Sequence, residues 1–100
     1  MKITIDPKAR EFIERNCKDK AITIKLIVAT KGWLTCIEPS VEMVIPKDES
    51  IYHRYDIDGI RVYCSPEVRK KNDEIRLKLM RFFWIKYLYV DWKKMGPSIL

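Results

Sequence analysis

The spacing of apolar residues predicts one helix near the N-terminus, followed by a series of strands. After Asp6-Pro7, which suit an N-cap and a first helical position, apolar residues recur every three to four positions, so residues 7–16 are predicted to be helical. Farther along, apolar and polar residues alternate with a period of two, as in strands. The predicted strands span residues 3–5, 22–29, 41–45, 51–55, 60–64 and 85–91.

The remaining segments contain a predicted loop, a predicted turn and one stretch whose assignment stays open. Residues 33–40, which contain Cys36, follow a Lys-Gly break and are predicted to form a loop. Asp58-Gly59 has the chemistry of a tight hairpin turn. Residues 74–83 fit a strand period and a helix face equally, so both assignments stay open.

Length and composition indicate one domain with its own core. The chain has 100 residues, of which 47% are hydrophobic, enough to form a core without disulfides or a structural metal. We expect residues 1–92 to be ordered and residues 93–100 to form a frayed tail. The predicted fold class is α+β, with mainly antiparallel short strands and an N-terminal helix.

Composition also suggests the source and the compartment of the protein. Charged residues make up 34% of the chain, Gln is absent and there are only two Asn residues, which favours a thermophilic source. No apolar run is long enough to span a membrane, and the first residues do not resemble a signal peptide. We therefore expect a cytoplasmic protein, whose three widely spaced cysteines are free thiols or ligands.

Positive charge is concentrated in the last third of the chain. Of the net charge of +6, residues 66–100 contribute +5, which could attract an acidic protein or a phosphate backbone. The same region holds Trp84, Tyr87, Tyr89 and Trp92. We expect alternate rings to pack into the core, which makes nucleic acid an unlikely partner. The strand still has more large apolar side chains than one face can bury, so a homodimer is predicted.

The order of the elements resembles the HesB-type domain of the A-type iron–sulfur carriers, the IscA-like family, over residues 1 to about 92. Four segments carry the resemblance: Ile-Thr-Ile-Asp-Pro-Lys-Ala at 3–9, Ile-Thr-Ile-Lys-Leu at 22–26, Asp-Gly-Ile-Arg-Val-Tyr-Cys-Ser-Pro-Glu at 58–67 and Asn-Asp-Glu-Ile-Arg-Leu at 72–77. The resemblance implies the same fold.

The resemblance carries over only part of the family's ligand set. That family binds iron or an iron–sulfur cluster with one cysteine in a glycine-rich loop after the first long strand and with a Cys-Gly-Cys near the C-terminus. Cys36 lies at about the position of the first cysteine, but residues 95–100 contain no Cys-Gly-Cys. A HesB-like (seleno)protein subgroup has a Cys-Cys or Cys-selenocysteine motif in this loop, and here the adjacent pair is missing too.

The remaining reactive side chains have ordinary structural interpretations. Cys17 and Cys64 are expected to be core or boundary residues, although Cys64 precedes a turn where a thiol can be reached. His53, the only histidine, is expected to lie at the surface. The sequence has no nucleophile elbow and no glycine-rich phosphate loop, so we do not expect an enzyme.

Three hypotheses about function follow. The leading one is a diverged HesB-like domain of non-enzymatic binding or interaction type, with no cofactor. In the second, the protein binds iron or an iron–sulfur cluster through Cys36 from two subunits of a dimer, with Cys64 as a possible further ligand. The third is an adaptor for nucleic acid or an acidic partner that uses the basic C-terminal third.

Overall fold

The computed structural model of the chain describes residues 1–71, 73–92 and 98–99, which form eight strands and two short helices. The elements are β1 (Lys2–Ile5), α1 (Pro7–Asn16), β2 (Ala21–Lys31), β3 (Leu34–Glu42), β4 (His53–Ile57), β5 (Ile60–Cys64), α2 (Pro66–Lys71), β6 (Glu74–Phe82), β7 (Ile85–Trp92) and β8 (Ser98–Ile99). Neither helix has the length and apolar character needed to cross a membrane.

The strands form two sheets. One has the order β1-β6-β7 and the other the order β4-β5-β2-β3-β8. The β1–β6 and β2–β5 pairings are parallel, and the other pairings are antiparallel. The predicted α+β class with short strands and one helix is therefore confirmed only in part. The fold is mostly β-sheet with two small helices, and β2 alone has 11 residues.

Helix α1 contributes side chains to the hydrophobic core that it shares with both sheets. Its Ala9 and Ile13 side chains are completely buried and join one apolar cluster with residues from both sheets. Pro7 occupies the first turn as predicted, and Asp6 occupies the N-cap position without a side-chain cap hydrogen bond. The Asp6 carboxylate instead lies 3.5 Å from the Arg76 guanidinium, which ties the start of the helix to β6.

The prediction of a loop over residues 33–40 is wrong, because this segment is most of β3. It pairs with β2 without interruption from Lys31↔Leu34 to Thr23↔Glu42, after a turn in which Gly32 has a φ of +64°. The predicted strand 41–45 consequently ends at Glu42. Pro39 is tolerated inside β3 because, among the described residues, β8 pairs only with Cys36 and Ile37.

Other strand boundaries agree more closely with those predicted from the sequence. The strand predicted at 51–55 lies at His53–Ile57, after a 3-10 turn in which Asp48 Oδ1 accepts a hydrogen bond from the Ser50 N–H at 3.1 Å. The open assignment of 74–83 resolves as strand β6. Residues 93–97 and 100 of the predicted tail lie outside the described residues.

Candidate functional site

Cys36 lies in a strand and is buried. It is in register with Ala29 of β2 on one side and with Ile99 of β8 on the other, and only 6% of its surface is exposed. Ala29 shares a face of β2 with Thr23, because side chains alternate along a strand. Cys36 therefore points away from the face that carries Ile24 and lies outside the main core cluster.

Cys64 is the last residue of β5 and belongs to the core. It is in register with Ile24, is completely buried, and has its Sγ 3.9 Å from Met1 Sδ and 3.7 Å from the Ser65 carbonyl oxygen. Burial raises the pKa of this thiol to about 11, although Arg69 and the N-terminal amine act in the opposite direction. The expected core or boundary position of Cys64 is confirmed, but the expectation that its thiol can be reached is wrong.

Cys17 follows α1 and is also a core thiol. Its Sγ donates to the carbonyl oxygen of Ala21 at 3.4 Å and lies 3.7 Å from that of Met43. These contacts satisfy the thiol locally, so the expected core or boundary position is confirmed.

The three thiols do not form a ligand set within one chain. Cys36 and Cys64 lie on opposite faces of the five-stranded sheet. Cys36 is in register with residue 29 of β2 and Cys64 with residue 24, and these two positions are about 17 Å apart along the strand. Across the described ranges, no three His, Cys, Asp or Glu side chains come together in a way that could hold a metal ion. An iron–sulfur cluster needs several thiolates around it, and this arrangement does not fit one.

His53 is exposed, as predicted. Its Nε2 lies 3.1 Å from Arg69 Nη1. A guanidinium at this distance opposes a bound cation, so the histidine is not a promising metal ligand.

A groove of about 590 Å³ lies between α1 and the β6–β7 hairpin. Its lining side chains are Lys8, Glu11, Phe12, Arg15, Asn16, Leu79, Arg81 and Lys86. The single carboxylate, Glu11, is already ion-paired with Arg15 at 2.8 Å. Four cations around an apolar floor of Phe12 and Leu79 therefore suit an acidic ligand with some apolar character.

The same hairpin exposes its aromatic residues. Of the four rings at Trp84, Tyr87, Tyr89 and Trp92, only Trp92 is buried, so the expectation that alternate rings pack inside is wrong for the others. An excess of large apolar side chains was expected on the strand at 84–92, but its extension through Phe82 and Phe83 was not. The signal was the run Phe82–Ile85, four consecutive apolar residues between Arg81 and Lys86 that do not alternate with polar ones.

Comparisons with known proteins agree with this fold. A model of a family described as the CC/Se motif containing family matches residues 1–93. A crystal structure of Escherichia coli SufA, described as involved in the biosynthesis of iron–sulfur clusters, is similar with a TM-score of 0.61 and 11% identity over 95% of this chain and 83% of that chain. This similarity supports the HesB-like fold. No curated protein matches the sequence.

Proposed function

Because the chain belongs to the CC/Se motif containing family but has no two adjacent cysteines, we propose that it is a non-enzymatic binding module with a HesB-like fold and no thiolate site for iron. The module recognises its partner through surface side chains. Its cysteines act as buried packing residues.

The separate burial of the three thiols is the observation that carries this proposal. Cys17 and Cys64 belong to the core cluster, and Cys36 is buried on the other face of the five-stranded sheet. A dimer could add a second Cys36, but this thiol is already buried within one chain. Bringing two such thiolates to one iron would require the residues that cover them to move.

Anaerobic reconstitution with ferrous iron and sulfide tests the absence of a thiolate site. After desalting, we expect far less than one iron per chain and no cluster absorption, with identical results for Cys36→Ser. Cys17→Ser serves as the matched control for simple loss of a thiol. Stoichiometric iron that disappears in Cys36→Ser but persists in Cys17→Ser would overturn the proposal in favour of a shared cluster at the dimer.

The groove between α1 and the hairpin supports a more specific function, which is binding of an acidic protein segment. Lys8 and Lys86 face the groove from different elements, and neither has an ion-pair partner among the described residues. Like charges brought together without counter-charges raise the free energy of the free protein, and an acidic ligand relieves this repulsion. The concave, partly apolar lining favours a peptide segment over a nucleic-acid backbone.

Fluorescence anisotropy with a labelled Glu-rich peptide that contains one Leu tests this function. The double substitution Lys8→Glu/Lys86→Glu is expected to weaken binding by at least about tenfold, because it reverses two charges in the groove. Lys47→Glu/Lys70→Glu, which reverses two exposed charges that do not line the groove, is the matched control and leaves affinity nearly unchanged. Equal losses in the groove and control variants would show only nonspecific attraction. Preferential binding of a single-stranded oligonucleotide would favour the nucleic-acid adaptor.

A further inference from the structure

The β6–β7 hairpin, termed here the ribbon, has an inner face on the core and an outer face in solvent. Register places Ile75, Leu77 and Leu79 of β6 opposite Trp92, Val90 and Leu88 of β7 on the inner face. The outer-face pairs are Phe82↔Ile85, Met80↔Tyr87, Lys78↔Tyr89 and Arg76↔Asp91, with Phe83 and Trp84 in the turn. The outer face is thus apolar toward the turn and charged toward the base.

The exposed apolar area of the ribbon is too large for an ordinary monomer surface. Seven large side chains of the ribbon are 40–82% exposed: Met80, Phe82, Phe83, Trp84, Ile85, Tyr87 and Tyr89. At about 200 Å² for each large side chain, they present on the order of 800 Å², beyond the usual largest patch of a monomer and close to one partner's share of a standard interface.

We propose that this outer face binds the same face of a second copy, with the two ribbons antiparallel about a two-fold axis near Met80 and Tyr87. An isologous contact needs a self-complementary surface. In this arrangement the turn of one ribbon lies over the base of the other, so that Trp84 and Phe82 approach the partner's cationic base. Aromatic faces attract Arg and Lys side chains.

The charges at the base of the ribbon are compatible with this orientation. Because the axis lies near Met80, the antiparallel arrangement keeps Lys78 and Arg76 far from the same residues of the second copy and places them near its turn. Both cations also have counter-charges within the chain. Lys78 Nζ lies 3.1 Å from Asp91 Oδ2, and Arg76 Nε lies 3.5 Å from Asp6 Oδ1. The turn, by contrast, has no carboxylate, because none occurs between residues 75 and 90.

Sedimentation velocity across micromolar concentrations tests the association. The wild type is expected to be a dimer, and Phe82→Ser/Ile85→Ser, which alters one outer pair, is expected to raise the dimer dissociation constant by at least about tenfold. Trp33→Ser is the matched control, since Trp33 is 90% exposed at the β2–β3 turn, and it leaves the dimer unchanged. Circular dichroism of each variant verifies folding. A monomeric wild type, or a dimer that tolerates the double substitution, would overturn the proposal.

Cross-linking tests the orientation. A short bis-maleimide is expected to join two Met80→Cys chains near the axis, but not two Arg76→Cys chains, whose residues would be about 26 Å apart along the ribbons. Efficient cross-linking at 76 would contradict the antiparallel arrangement.

Co-sedimentation with vesicles that contain anionic lipids tests whether the outer face binds a membrane instead. A monomer that co-sediments with them through Phe82 and Ile85 would assign the face to a bilayer and reject the dimer.

Discussion

The thiol of Cys64 is surrounded by apolar side chains and close to the sulfur of Met1. Removing water from a thiol disfavours its charged form, which is why burial raises its pKa to about 11. Nucleophilic attack and metal binding both need the thiolate. In the folded protein this residue therefore behaves as a small hydrophobic side chain at neutral pH.

The raised pKa of Cys64 predicts a loss of stability in alkali. A thiol whose folded pKa exceeds its unfolded value of 9.0 stabilises the fold fully below pH 9, and this contribution is lost as the pH rises through about 11. Cys64→Ala should therefore lower the free energy of unfolding more at about pH 8 than at about pH 10.5, by roughly 1–2 kcal/mol. Urea unfolding at both pH values measures the difference.

Val68→Ala is the matched control for this experiment. Val68 is also completely buried in the core cluster but does not titrate, so its truncation should cost the same at both pH values. Tyr63 contributes to the alkaline loss in all variants, because its hydroxyl donates to Glu49 Oε1 at 2.6 Å and this bond raises its pKa. A Cys64→Ala effect that does not change with pH would contradict the prediction.

Individual residues were predictable where their role is local. Asp6, Pro7 and His53 lie where the sequence places them, at a helix start and at the surface. Cys64 also has the core or boundary position that was expected. The burial of Cys36 was not predictable, since it depends on β8, a strand that is distant in sequence. Proximity to a turn in the chain says little about whether the neighbouring sheet covers a thiol.

The β4–β5 hairpin shows how one short turn sets the register of an element. Asp58 and Gly59 have φ values of +51° and +82°, the conformation that lets a two-residue turn follow the twist of its strands. The Asp-Gly sequence predicted this turn. The resulting register places His53 opposite Cys64 and directs Ile60, Val62 and Cys64 into the core.

Gly59→Ala tests the turn. A Cβ at this position meets no atom within 4 Å, so the cost comes from the backbone conformation and not from a clash. We expect a loss of about 1 kcal/mol, or roughly 4–8 °C in melting temperature. Asp58→Asn, which replaces one residue that tolerates positive φ by another, should change stability by less than about 0.5 kcal/mol. An unchanged melting temperature for Gly59→Ala would contradict this account.

The strand β3 marks the limit of prediction at this scale. Gly32 and Pro39 are both residues that usually interrupt a strand. For this reason the sequence did not predict β3, which pairs with β2 over its whole length. Its partner supplies the hydrogen bonds that stabilise an otherwise weak sequence. Helix α1 and strand β5 were predicted with correct bounds because their periods are strong and their end signals are local.

At the scale of the molecule, pattern alone predicted many elements but not how they assemble. The parallel pairings β1–β6 and β2–β5 join segments far apart in sequence, and no short-range signal specifies them. The resemblance to HesB-type domains supplied the fold. The groove was missed for the same reason, since Lys8 and Arg15 meet Arg81 and Lys86 only after α1 packs beside the ribbon.

The pairing of β1 with β6 also has a consequence during synthesis of the protein. Lys2 is in register with Glu74, so the first strand emerges from the ribosome long before its partner exists. Until then, Ile3, Ile5 and the apolar side of the nascent helix have no β6 surface to cover them. Contacts this distant in sequence slow folding, because a long loop must close before they form. Native packing around the N-terminal segment is therefore a late event, completed by the last third of the chain.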